Sequence, residues 1–153
     1  MNPHTPIVIR DARVEEQRSL IELQRRASMH WDAYRDQLAA HPDAIELPID
    51  QITDGLVRVA ERDADIVGFA VLFQPVEGAC ELDGLFVEPA HMGAGVGRAL
   101  VQDAVRIARD RGATRIDVVA NLEAVGFYQR VGFTGTAEVP TRFGPARRMH
   151  LPV

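Results

Sequence analysis

With 153 residues, 46% of them hydrophobic and 25% charged, the chain can bury one core and is read as a single domain, 1–153. The net charge of −5 argues against nucleic acid as main ligand and is compatible with a cationic amine. All seventeen basic residues are arginine, so a Walker-type phosphate loop and a pyridoxal Schiff base, which both need lysine, are excluded.

The lone cysteine, Cys80, excludes an internal disulfide and an all-cysteine metal cluster, and fits a reducing cytoplasm. No apolar run approaches the roughly 18 residues of a membrane span. The first residues lack the basic start and apolar stretch of a signal peptide. A cytoplasmic chain without membrane contact is expected. Residues His4, His41, His91 and His150 are scattered, and no H-x-x-x-H or C-x-x-C spacing occurs, so no metal is expected.

Ile7-Val8-Ile9 reads as a first strand. From Val14 to Met29, Leu20, Ile21, Leu23 and Ala27 recur at helical spacing, and a second helix follows from about Asp32 to Ala40, stopped by Pro42. Residues 41–55, with two prolines and three aspartates, read as an ordered loop or turn region. Leu56–Ala60 and Ile66–Phe73 read as strands around a turn at Arg62–Asp65, and Cys80–Val87 as another strand closed by Pro89. A helix after Gly97 places Leu100, Val101, Ala104, Val105 and Ala108 on one face, and Gly112 suits its end. Arg115–Ala120 is a strand, Leu122–Arg130 a helix, and Phe133–Val139 and Arg147–Leu151 are closing strands. The order predicts an α/β fold: a mixed sheet with helices on its faces.

The sharpest feature is the segment from Val87 to Leu100, in which Gly93-Ala94-Gly95-Val96-Gly97 joins a strand to a helix. Glycines let backbone N–H groups approach an anion, and a helix N-terminus adds unpaired donors and a favourable dipole. A pyrophosphate suits this arrangement. The alternative is a glycine turn that only packs the helix on its strand. A dinucleotide fingerprint is disfavoured, because Arg98 stands where its third glycine belongs and the loop lies past mid-chain.

Two motifs resemble the GNAT superfamily of N-acetyltransferases. The first is Met92-Gly93-Ala94-Gly95-Val96-Gly97, in which Met92 departs from the family's usual Gln or Arg. The second is Asn121 followed by Gly126-Phe127-Tyr128-Gln129-Arg130-Val131-Gly132-Phe133. The resemblance covers most of the chain and is strongest from Glu81 to Phe133. It implies the acyl-CoA N-acyltransferase fold, with a mostly antiparallel central sheet and helices on both faces. It also implies acetyl-CoA as cosubstrate and direct attack of a primary amine of a small molecule or peptide on the thioester. Under it, Met92 to Arg98 and the strand amides of Leu85, Phe86 and Val87 bind coenzyme A, with Asn121 and Phe127 beside the pantetheine arm and Tyr128 facing the sulfur.

The chemistry then needs few parts. An amine with a pKa of about 10.4 arrives protonated, so a carboxylate or an ordered water must take its proton. Strand alternation puts Glu81 and Asp83 on one face, and Glu81 aligns with the carboxylate that several family members use. Tyr128 is the candidate acid for the departing thiolate. With two serines and no G-x-S-x-G, a covalent enzyme nucleophile is not expected. Asn121 also stands where an N-cap belongs. His30, Trp31 and Tyr34 lie in the region that forms one wall of the acceptor pocket in the family, and Arg142, in the Pro140–Pro145 connection, is a candidate for a substrate carboxylate. Dimerisation is common in the family, so a homodimer is compatible with the sequence. The competing function is a binding module that holds acyl-CoA as a sensor, or serves a partner protein, without turnover.

Overall fold

The computed structural model describes residues 5–153, without the side chains of residues 32–34 and 42. In chain order the elements are β1 (Val8–Asp11), α1 (Gln17–Met29), α2 (Asp32–Ala40), α3 (Ile49–Thr53), β2 (Val57–Arg62), β3 (Asp65–Leu72), β4 (Ala79–Val87), α4 (Val96–Asp110), β5 (Arg115–Asn121), α5 (Val125–Arg130), β6 (Thr134–Thr141) and β7 (Gly144–Pro152). The strands form a mixed, mostly antiparallel seven-stranded sheet in the order β1-β2-β3-β4-β5-β7-β6. Residues 41–55, expected as a loop or turn region, hold a 3₁₀ turn at Pro42–Ala44 and, beyond that expectation, the short helix α3. Buried Ile45, Leu47 and Ile52 anchor this stretch, which its prolines and aspartates disguise.

Contacts divide the chain into two compact units, one made of the chain up to Val71 with Gly84–Leu100, the other of Leu72–Asp83 with Val101–Val153. In the first, β1 pairs with β2 and β2 with β3, both antiparallel. The β2–β3 turn is narrower than the sequence suggests. Arg62 pairs with Asp65, and the two residues between them, Asp63 and Ala64, take φ of 53° and 67°, as a primed hairpin turn requires. Helix α1 buries Leu20, Leu23 and Ala27, the expected stripe. Gly68 on β3 allows a close approach: a Cβ there would stand 2.8 Å from both the Phe86 carbonyl oxygen and a Val96 methyl. The absent side chain thus lets the first turn of α4 sit directly on the strand.

In the second unit, β4 runs parallel to β5, with antiparallel β5–β7 and β7–β6 pairs. Its core includes Leu82, Ile116, Val118, Phe133 and Met149. Val101, Ala104 and Ala108 are the buried side of α4. That helix ends as the sequence predicts: Gly112 has φ +81°, its N–H donates to Arg109 (2.9 Å), and the Ala113 N–H donates to Ala108 (2.9 Å). The β6–β7 connection is shorter than the expected Pro140–Pro145 segment. Thr141 pairs with Gly144, so Arg142 and Phe143 alone make the turn.

Candidate functional site

The glycine turn is built as an open cradle. After a 3₁₀ turn at Pro89–His91, Gly93 and Gly95 take φ of +77° and +89°, and a Cβ at either would meet nothing within 4 Å. Positive φ at alternate residues is what glycine supplies without steric cost. The first α4 amide with an intrahelical partner is that of Ala99, which donates to Gly95 (3.0 Å). The N–H groups of Val96, Gly97 and Arg98 therefore have no helical acceptor. Val96 and Gly97 are buried, while Met92 and Arg98 are exposed. Unpaired amides, an open concave turn and a helix dipole suit a diphosphate.

Arg62, at the end of β2, stands behind this turn. It is 5% exposed, and its Nη2 donates to the Ala94 carbonyl at 3.0 Å. At the end of β4, Leu85, Phe86 and Val87 are half-buried. The Phe86 ring covers Gly84 and packs against Phe69, with centroids 5.2 Å apart. The following Glu88 donates its N–H to Val67 (2.9 Å) and accepts from Arg26 through both carboxylate oxygens (2.8 and 2.9 Å).

In the second unit the two predicted carboxylates belong to a larger polar row. Glu81 on β4 lies opposite Asp117 on β5, which lies opposite His150 on β7. Asp117 accepts from Arg115 Nε at 2.9 Å and lies 2.7 Å from His150 Nδ1. Burial pushes the Asp117 carboxyl up, but hydrogen bonds from Arg115 and His150 outweigh it and hold the group below its ordinary range. With Asp117 ionised, Nδ1 of His150 carries a proton and donates it to the carboxylate. Glu81 is shifted the opposite way: desolvation raises it, Arg148 at 4.0 Å lowers it, and Asp117 and Asp83 raise it further. Asp83 is exposed, and partial desolvation raises its carboxyl too. A raised carboxylate is a better proton acceptor. Cys80, with the opposite strand parity, is fully buried with its thiol raised by desolvation, the reverse of an activated nucleophile.

Asn121 ends β5 and caps the 3₁₀ turn Leu122–Ala124 that leads into α5, accepting from the Ala124 N–H at 2.9 Å. Tyr128 is buried, edge-on to Phe127 and Phe133 at 5.1 and 5.3 Å. Its hydroxyl makes no hydrogen bond among the described residues. Nor is it sealed off, since Arg147 Nε is the one occluded unpaired side-chain polar atom among them. Burial pushes its pKa up, so the phenol keeps its proton at any physiological pH.

The proposed acceptor residues are less gathered. His30 is exposed and meets Trp31 edge to face at 5.2 Å. The Tyr34 side chain lies outside the described residues. The Arg142 guanidinium lies 5.4 Å from the ring centroid of its neighbour Phe143 in the hairpin turn. Sequence reasoning missed Arg62, Asp117, Arg148 and His150. Arg62 was assigned to a turn that is in fact strand. Asp117, a charge inside the run Ile116–Val118, is the available signal for the polar row, but Glu81 and His150 come to it from other strands.

Fold, glycine turn and the Asn121–Phe133 segment together define an acyltransferase of the acetyltransferase class. A sequence model of the acetyltransferase (GNAT) family matches residues 23–133. The peptidyl-lysine N-acetyltransferase YjaB of Salmonella typhimurium is 37% identical over 138 residues, covering 87% of this chain and 88% of that protein. Among solved structures, the PaiA N-acetyltransferase of Thermoplasma acidophilum, in complex with coenzyme A, gives a TM-score of 0.78 at 20% identity, over 97% of this chain and 99% of that one. YncA of Salmonella typhimurium, solved with acetyl-CoA, gives 0.69 at 22% identity, over 97% and 94%. The chain belongs to the GNAT acetyltransferase family.

Proposed function

We propose that this chain moves the acetyl group of acetyl-CoA to the primary amine of a peptide lysine or of a small cationic molecule, as one catalytic domain in a reducing cytoplasm. The observation that carries the reading is Tyr128: a phenol whose ring is buried against Phe127 and Phe133 and whose hydroxyl has no partner among the described residues. The hydroxyl stays reachable while Phe127 and Phe133 hold its ring, so a ligand's sulfur can take the place of a protein partner. The lysine acceptor is suggested by the YjaB relative, which is named for peptidyl-lysine, and is supported by the acidic side chains on β4.

The parts then take defined roles. The amides of the Met92–Arg98 turn hold the diphosphate, and the end of β4 at Leu85–Val87 aligns the pantetheine arm. Glu81, with Asp83 beside it on the strand, takes the proton from the incoming ammonium directly or through water. The amine nitrogen bonds to the thioester carbon, the carbon–sulfur bond breaks, and Tyr128 gives its proton to the departing sulfur. Solvent later returns a proton to the phenol.

Release of free thiol from acetyl-CoA, measured across lysine peptides and small amines, tests the proposal. Acetyl-CoA should also raise the melting temperature, whereas NADH and ATP should not. Stabilisation by acetyl-CoA with no thiol release from any amine would replace the enzyme by a binding module.

A further inference from the structure

We propose that Arg62 is the fixed cation of the glycine turn, aiming one of its amides and supplying the charge that the turn lacks. The proposal rests on the reading that this turn holds the diphosphate of acetyl-CoA. Arg62 Nε donates to the Thr5 carbonyl at 3.1 Å and Nη2 to the Ala94 carbonyl at 3.0 Å. Among the described residues no carboxylate pairs with it. A guanidinium stays charged at any physiological pH, so a buried one with only neutral acceptors is under-compensated. Its remaining N–H groups are not sealed off, because Arg147 Nε is the one occluded unpaired side-chain nitrogen among the described residues.

The bond to Ala94 has a geometric consequence. The Ala94 carbonyl and the Gly95 N–H belong to one peptide unit, and no peptide in the described chain is cis. In a trans unit the C=O and N–H bonds point in opposite directions. Pulling the carbonyl onto Arg62 therefore turns the Gly95 N–H directly away from it, into the open side of the turn where no Cβ intrudes. A cation on the carbonyl also polarises that N–H into a stronger donor. The turn offers little other fixed charge: Met92 is neutral, Glu88 is engaged by Arg26, and Arg98 is an exposed side chain. A diphosphate on the open side would be the anion that Arg62 otherwise lacks.

The test compares two acyl donors, acetyl-CoA and S-acetylpantetheine, which lacks the diphosphate, in wild type, Arg62→Gln and Arg62→Lys, each checked for folding by circular dichroism. Arg62→Gln should lower kcat/KM for acetyl-CoA about ten- to fiftyfold through KM, leave S-acetylpantetheine within about twofold, and flatten the salt dependence of coenzyme A binding. Arg62→Lys, which keeps a charge, should recover most of the loss. If Arg62→Gln does not fold, Arg62→Lys carries the test: a selective rise in KM for acetyl-CoA, smaller than tenfold, is expected. Equal losses with both donors would reduce Arg62 to a structural role and overturn the proposal, as would unchanged acetyl-CoA kinetics. A wild-type protein that binds no coenzyme A at all would instead sink the functional reading, and this proposal with it.

Discussion

Asp117 and His150 meet across paired strands, with Oδ1 of the aspartate 2.7 Å from Nδ1 of the histidine. Arg115 donates to the same carboxylate, so a largely buried anion has two charge-assisted or polar donors. These donors hold Asp117 below its unfolded pKa, so its stabilisation is present above the ordinary aspartate range and is lost as pH falls through the lower folded value. We expect Asp117→Asn to cost about 1–3 kcal/mol at pH 7. The gap from wild type should close in acid. Urea midpoints followed from about pH 7 down to about pH 2 check this, and a gap that does not narrow over that range would show that charge is not the cause.

Glu81 carries the opposite sign. Desolvation raises its carboxyl, so between the unfolded value and the raised folded one the native state holds more protons, and stability declines as pH rises through that window. Glu81→Gln should therefore melt higher at pH 7 while kcat falls about tenfold to a hundredfold. The activity lost on acidification, as Glu81 takes up its proton, should disappear from the rate profile of this variant. An unchanged rate would move the base to Asp83 or to water.

Tyr128→Phe removes one oxygen that has no partner among the described residues, so the fold should lose little: the melting temperature is expected to stay within about 2 °C. Coenzyme A affinity should hold within about threefold while kcat drops about tenfold or more. Because burial raises the phenol, no loss of rate from its ionisation is expected up to pH 9. Parallel loss of affinity and rate would make Tyr128 a packing residue.

Asn121→Ala deletes the 2.9 Å acceptor at the Ala124 N–H. A lost cap costs about 1 kcal/mol. Thermal or urea unfolding gives that figure. Asn121→Asp and Asn121→Ser, which can still cap, should recover most of it. If Asn121 also lies beside the pantetheine arm, the KM for acetyl-CoA will rise in all three variants.

Local chemistry accounts for what was legible in the sequence. The stripe of Leu20, Leu23 and Ala27, the Gly112 stop, the glycine turn into α4 and the Asn121 cap all depend on residues a few positions apart, where periodicity and backbone preference dominate. The misreadings share one cause. The helix α3 is held by burial of Ile52, and the end of β2 by pairing of Arg62 with Asp65, neither of which composition displays. The segment 41–55 looks like a loop because its polar residues are visible and its burial is not.

By itself, the amino-acid order determined the fold class, the glycine turn, and the places of Glu81 on a strand and Tyr128 on a short helix, since each follows from residues near in sequence. Only the tertiary structure decided that Arg62 reaches the Ala94 carbonyl across 32 positions, and that His150 and Asp117 share a proton-bearing contact across 33. The physical reason is range: strand register and side-chain parity are set by pairing between distant segments. Glu81, Asp117 and His150, far apart in the linear chain, are thereby brought into one row, where their neighbours shift the carboxyl groups of Glu81 and Asp117 in opposite directions.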